Sequence, residues 1–497
     1  MQHFSSSSGE KPFPEKKNLQ LFFILLFVAA LYITQQISSA EFYFSRLTGA
    51  EQLRVGIFSA LNWMHAEFGS GLTTNSIWLP SICLAVIDQV FLEQSPIVFL
   101  LLKFSLITLS FYLVFKLFLR LSAAEAFSLG LTLVTGLGLF IEADLNPELF
   151  LLFFTICSMT LLQLYQQRPQ KIIFTALVFS VWMLARSSAV SLPASLLISI
   201  YILSLTIKAG QKFAILVAVC LSFTLAVDGQ ILSLNLIQAQ LRHFELSLEQ
   251  FLSADWQNPL LSFSFAFFLI QLCLLSLCRV RFNVKLHQTE YLVVSLALGL
   301  ALIEPRLVGV GMLILGAILA RIWPILAGDN PLKIAILKLS QLTEKLSLLG
   351  LIWVLLCFSI VHVNALWQKP LFKDRVFEAA VKQLLDLNPT VVILNPKLAG
   401  PLLLSAARSG NVQLKISSDF FTIQNDPQMA RAFKELTQTG RNWNEISQKT
   451  SANAILSLSI EPLAQILKAA PEWQAVTDND SKLKPERRIS WQIFTKR

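Results

Sequence analysis

The sequence predicts an α-helical polytopic membrane protein with a small soluble α/β domain at its C-terminus, and three observations carry that prediction. The 497 residues are 54% hydrophobic and only 14% charged, where soluble globular chains carry about 25% charged residues. Apolar runs long enough to span a bilayer, about 17–25 residues, recur up to residue 366. Beyond that point the pattern changes to short β-rich runs separated by polar helical stretches.

The runs fall at roughly 19–38, 97–119, 124–141, 147–165, 171–187, 190–207, 212–232, 259–278, 288–303, 307–326 and 346–366, which makes about eleven spans. Residues 1–18 are polar and rich in Ser and Lys, and form a cytoplasmic tail. The run that follows, with ISSAE after it, imitates a signal peptide. It is long for a signal h-region and is expected to remain as an uncleaved anchor. The stretch 76–92 contains Pro80 and Asp88. A charge at membrane depth is expensive, so this stretch is expected to be interfacial or re-entrant.

Charge placement supports that choice. The net charge of +9 is dispersed over short gaps between apolar runs. That is the positive-inside pattern, not the single basic patch of a nucleic-acid binder. With the N-terminus inside and 76–92 not spanning, the inside loops carry Lys116/Arg120, Arg168/Lys171, Lys208/Lys212, Arg279/Arg281/Lys285 and Lys333/Lys338/Lys345. The outside loops carry only scattered Arg46, Arg54, Arg186, Arg242 and Arg306. The chain then divides into the 1–18 tail, a multi-span domain over 19–366 with a large outer loop 41–96, and an extracytoplasmic α/β domain over 367–497. Lys103 lies near the outer end of its helix, where it is expected to snorkel or to bind an anion.

In the C-terminal part, 391–396, 412–417, 454–459 and 489–494 read as strands, and 374–387, 427–439 and 461–470 as helices. The alternation predicts a parallel sheet. Pro396, Gly400 and Pro401 mark a turn. No Gly-rich phosphate loop follows any strand.

Outward carboxylates are the best candidates for chemistry. Glu41 comes directly after the first span, Glu51 and Glu67 follow, Glu142 and Asp144 sit between the third and fourth spans, and Glu304 lies between the ninth and tenth. A carboxylate at the membrane surface can serve as a general base toward an acceptor hydroxyl, or as a ligand for a divalent metal. EAD at 142–144 is a weak metal cluster, and a solvated loop acid is the plain alternative for each residue. Arg186 and Arg306 suit either bidentate phosphate binding or interfacial anchoring. No His pair has metal spacing; His65, in the first outer loop, is the one His placed for chemistry, with a surface residue as the plain alternative. Trp78, Trp182 and Trp323 are expected at the membrane interfaces. The six Cys all lie in apolar stretches and are expected as packed core thiols.

Several segments together resemble the GT-C superfamily of membrane glycosyltransferases, and more narrowly its bacterial members that end in a small extracytoplasmic α/β domain. The stretch EFYFSRLTG (41–49) resembles the family's D-L-W-W-H-L-A-T-G pattern. Glu41 takes the Asp place, Phe42, Tyr43 and Phe44 match as aromatics, Thr48-Gly49 match, and Ser45 stands at the His place. EADLNPELF (142–150) resembles the acidic, R-P-rich patch after the third span, with Asn146 where Arg is usual before Pro147. VWMLARSS (181–188) resembles L-W-x-N-x-H-G, with Trp182 matching, Leu184 for Asn and Arg186 for His. NPKLAGPLLL (395–404), SSDFF (417–421), WQAVTDND (473–480) and ISWQIFTKR (489–497) resemble landmarks of the family's terminal domain.

The resemblance implies a polyprenyl-phosphate-linked sugar donor, a cell-envelope acceptor, an inner-membrane location and an inverting transfer. Glu41 would be the catalytic base, with Asp144 or Glu142 positioning the acceptor or a metal. Arg186, Arg306 or Lys103 would hold the donor phosphate. The resemblance assigns no certain cofactor, and a divalent metal is left open. The departures from the motifs leave a second reading, a catalytically inactive GT-C-like scaffold that binds lipid or an envelope protein partner through 367–497. A transporter would need charged residues along a path inside the spans, and these are scarce here.

Overall fold

The computed structural model describes residues 78–91, 95–140, 144–188, 190–205, 207–224, 263–282, 286–326, 375–393, 414–416, 443–458, 462–476 and 491–496. It adds isolated positions between 25 and 53 and at 237, 241, 244, 284 and 402. The membrane part is built from α1 (Trp78–Phe91), α2 (Ser95–Ser122), α3 (Glu125–Phe140), α4 (Pro147–Gln167), α5 (Lys171–Ala185), α6 (Ser191–Ser204), α7 (Ala209–Thr224), α8 (Phe263–Phe282), α9 (Gln288–Ile303) and α10 (Val308–Leu326). A short 3-10 turn, Pro305–Leu307, joins α9 to α10.

Each of α2 to α10 lies on one of the expected apolar runs. Four helical stretches among the described residues are long and apolar enough to cross a membrane: Ile97–Ser122, Pro147–Gln167, Ser264–Arg281 and Pro305–Pro324. The others are shorter apolar helices. Large apolar side chains such as Ile172, Phe179, Phe213 and Val280 are exposed on the outside of the bundle. Exposure of this kind suits lipid, which is as apolar as a protein core. Of the remaining expected spans, 346–366 lies outside the described residues, and 19–38 is represented by helical, buried Leu25 and Ala29.

The helix α10 is the hub. It packs against α2, α3, α8 and α9, and Val310 to Ala320 are buried almost without interruption. Close approach of helices needs small residues at the contact. At Gly136 of α3, an added Cβ would collide with the Phe111 ring of α2. Polar groups inside the bundle are tied across helices. Gln271 of α8 donates to Thr135 Oγ1 of α3 at 2.6 Å, and the Ser158 and Ser180 hydroxyls of α4 and α5 meet at 2.9 Å.

The stretch 76–92 carries α1, whose 14 residues rise about 21 Å at 1.5 Å per residue; α6, on one of the expected spans, has the same length.

Three expectations about side chains are corrected. Lys103 does not snorkel: it is completely buried, because Asp144 lies within ion-pairing distance inside the bundle. Trp323 is buried rather than interfacial, its ring stacked on Phe127 at 4.0 Å. Cys220 and Cys273 are exposed rather than packed in the core, since they fall on the outward faces of α7 and α8.

Toward the C-terminus lie α11 (Arg375–Asp386), β1 (Val391–Ile393), β2 (Lys415–Ile416), α12 (Trp443–Thr450), β3 (Ala454–Leu458), α13 (Pro462–Ala469), β4 (Trp473–Val476) and β5 (Trp491–Lys496). Among the described residues the sheet has five strands, in the order β2-β1-β3-β5-β4. The parallel expectation holds for β1 with β2 and β3, but β5 runs antiparallel to both β3 and β4. The sheet is therefore mixed. The difference comes from β4, a short strand in WQAV that the alternation of longer runs does not reveal. The core of this part joins Val391, Ile393, Ile455, Leu463, Leu467, Trp473 and Phe494. The expected helix 427–439 lies outside the described residues.

Candidate active site

Charged side chains collect where α2, α4 and α10 begin and α9 ends. The direction of the chain brings these ends together. The neighbours α2, α3 and α4 pack on one another and are only a few residues apart in the chain, so α2 and α4 start on the same side. The helix α9 ends, and α10 begins, at the 3-10 turn around Pro305.

The start of α4 is fixed by local chemistry. Asn146 is extended, and its side chain accepts from the Leu149 N–H at 3.1 Å. Pro147 follows at the first helical position, where its missing N–H costs nothing. Glu148 stands in the first turn, where the helix dipole favours a carboxylate. Just upstream, Asp144 Oδ1 accepts from the Leu145 N–H at 2.7 Å, which holds the carboxylate against its own backbone.

Two ion-paired groups meet this corner. The Lys103 ammonium, 0% exposed, lies 3.7 Å from Asp144 Oδ1, whose side chain is 15% exposed. The Arg306 guanidinium, 22% exposed, lies 3.3 Å from Glu148 Oε1 and 3.7 Å from Glu304 Oε1. Glu304 also turns the chain into the 3-10 helix by accepting from the Arg306 N–H at 3.5 Å. An ammonium taken wholly out of water costs several kcal/mol without a counter-charge, and charged groups in a membrane domain mark function by default. The corner thus presents a buried ammonium, a partly accessible guanidinium and three carboxylates. Such a set can bind a phosphate through the cations and orient a hydroxyl through an acid.

The sequence-predicted residues divide as follows. Lys103 and Asp144 are brought together, and Arg306 stands at the same corner. Arg186 is anchored at a different junction, buried at the end of α5, where its Nη1 donates to the Ser222 carbonyl of α7 at 3.0 Å. Glu41 and Glu142 lie outside the described residues. Glu148 was not singled out in the sequence, because an acid after Asn-Pro reads as a helix start. Its pairing with Arg306 joins segments far apart in the chain and leaves no local signal. No group of three or more His, Cys, Asp or Glu suited to a metal occurs among the described residues.

A further ion pair lies one helical turn along α2 from Lys103, against Phe99. Arg46 Nε and Nη2 each donate to one oxygen of Asp88 at 2.5 Å, so the pair is bidentate. Its guanidinium lies over the rings of Phe99 and Phe42, 4.8 Å and 5.3 Å from their centroids. Asp88, the charge that argued against a span, is thereby compensated within the protein.

No family model matches the chain, and no curated protein matches it. Among solved structures, the chain is similar to the cryo-EM structure of the arabinofuranosyltransferase AftD from mycobacteria, at 13% identity and a TM-score of 0.49. The alignment covers 97% of this chain, and the chain spans 40% of the length of that enzyme. No functional assignment rests on this likeness. What stands is a bundle of apolar helices, several of them of membrane-crossing length, with a charged corner at one end.

Proposed function

We propose that the protein is a membrane glycosyltransferase of the GT-C type. It transfers a sugar from a polyprenyl-phosphate donor to a cell-envelope acceptor on the extracytoplasmic side of a bacterial inner membrane. The observation that carries this reading is the corner at which Lys103–Asp144 and Glu148–Arg306–Glu304 meet, where α2, α4 and α10 begin and α9 ends. The GT-C-like motifs around Glu41, Pro147 and Trp182 give the corner its chemistry.

In this reading the donor lipid enters from the bilayer with its phosphate toward Arg306, the more accessible of the two cations at the corner. The acceptor hydroxyl attacks the anomeric carbon. Glu41 takes the hydroxyl proton as general base. The bond from the anomeric carbon to the phosphate oxygen breaks, and polyprenyl phosphate leaves with the electron pair. Arg306, backed by Lys103, stabilises the charge that develops on that oxygen. Asp144, with Glu142, orients the acceptor. Arg186, held at the end of α5 against the Ser222 carbonyl, stands apart from the phosphate, and residues 367–497 face an envelope partner or acceptor.

The test is genetic. Deletion of the gene should remove an envelope glycan seen by mass spectrometry; wild type should restore it, and Glu41→Ala at equal expression should not. Restoration by Glu41→Ala would remove Glu41 as the base.

One observation favours a second reading, a non-catalytic scaffold. Asn146 stands where the motif has Arg, and its side chain is used as a helix cap. Unchanged glycans on deletion, with a protein partner recovered in mild detergent, would select this alternative.

A further inference from the structure

We propose that the Arg46–Asp88 ion pair is a positioning clamp: it fixes the start of the outer loop, at Phe42 and Arg46, against α1 and the face of α2 that carries Lys103. This rests on the reading of Glu41 as the base.

The described residues of the loop, 42, 45, 46, 49, 50 and 53, are helical and recur at three- and four-residue spacing, which places them along one stripe. Phe42, Ser45 and Arg46 of that stripe are buried. The stripe is held to α1 at two points. At Gly49 an added Cβ would collide with the Ser81 carbonyl, so the two backbones touch there. Further along, Arg46 reaches Asp88 with both of its bonds.

The stripe is held to α2 by rings. Phe42, the residue next to Glu41 in the chain, meets Phe99 edge-on at 5.1 Å, and the Arg46 guanidinium lies against both. Phe99 and Lys103 are four residues apart on α2, so they share one face, one turn apart. Lys103 in turn holds Asp144. The loop start, α1, α2 and the corner are therefore connected through named contacts, and Arg46, on the loop start, touches both α1 and α2. Its side chain is 4% exposed, against 25% for Asp88. A lysine at 46 would keep the charge but neither the two parallel hydrogen bonds nor the flat contact with the rings.

The experiment uses the full-length protein, with nitroxide labels on cysteines introduced at Ala50 and Leu101 in a cysteine-free background. Asp88→Asn, Arg46→Lys and Asp88→Glu are compared with the parent. Electron spin resonance should give one narrow inter-label distance in the parent and in Asp88→Glu, and a broad one in Asp88→Asn and Arg46→Lys. In the complemented deletion strain, Asp88→Asn should lower the glycan about tenfold or more, as misplacement of a reacting group does. Its affinity for undecaprenyl phosphate should stay within about twofold of the parent, because ground-state binding is not what the clamp serves. Asp88→Glu should recover the glycan.

An unchanged distance in Asp88→Asn overturns the clamp. A broadened distance with full glycan overturns its positioning role, as does glycan loss accompanied by equal loss of undecaprenyl phosphate binding. If the wild-type protein makes no glycan, the reading of Glu41 fails and takes the positioning role with it, while the label distances still decide the clamp.

Discussion

Lys103 illustrates how much a single residue can and cannot disclose. A lysine inside an apolar run marks itself in the sequence, and its place one or two turns into α2 suggests a lipid-edge cation. Its burial and its pairing with Asp144 depend on α4 arriving beside α2, which no local pattern encodes. The pairing makes a specific prediction. Lys103→Met takes the ammonium from a buried corner and leaves the Asp144 carboxylate there, a change that costs about 3–5 kcal/mol when a buried pair is broken. Thermal unfolding in detergent should register that loss. The double variant Lys103→Met/Asp144→Leu should recover most of it, because a well-packed apolar pair replaces a buried ion pair at little cost. Glycan synthesis should stay absent in both. Full recovery of stability already in the single variant would show that the ammonium is not needed there. Arg306 was also legible as a residue, following Glu304-Pro305 between two runs; its second carboxylate, Glu148, was hidden behind its role in starting a helix.

At the scale of elements, helices were legible and contacts between them were not. The runs between charged loops fix α2 to α10 because a helix in lipid must be apolar over its length. Asn146-Pro147 marks the start of α4 in the sequence itself, and the cap bond to Leu149 follows. Asn146→Ala should therefore cost about 1 kcal/mol, seen as a lower unfolding temperature, whereas Asn146→Asp should be neutral by the same measurement. Gly136 gives the packing counterpart. Gly136→Leu should separate α3 from α2 at Phe111 and sharply reduce the folded protein recovered, while the same change at Gly130, where a Cβ meets nothing within 4 Å, should be tolerated. The soluble elements were read less completely. The strand β1 stands out as an apolar β-branched run and β3 as an apolar one, but WQAV is four residues long and its pairing with β5 is a tertiary choice. That choice turned a parallel sheet into a mixed one.

For the whole molecule, the sequence supplied an orientation through its basic loops, and the helix directions place the charged corner and the basic loops at opposite ends. Alkaline phosphatase, active only outside the cytoplasm, should be active when fused after Ser188 or after Arg497, and inactive when fused after Lys208. Activity after Lys208 with none after Ser188 would invert the proposed topology and put the corner on the wrong side for an extracytoplasmic donor site. In the proposed function the corner binds the phosphate of a polyprenyl lipid. The most direct measurement compares undecaprenyl phosphate with undecaprenol, which lacks the phosphate, for binding to the purified full-length protein and to Arg306→Gln. Charge-assisted bonds to a phosphate are worth about 1.5–3 kcal/mol each. The wild type should therefore prefer the phosphate by roughly tenfold or more, and Arg306→Gln should lose most of that preference while still binding undecaprenol. Equal binding of the two lipids by the wild type, or a preference untouched by Arg306→Gln, would contradict the account.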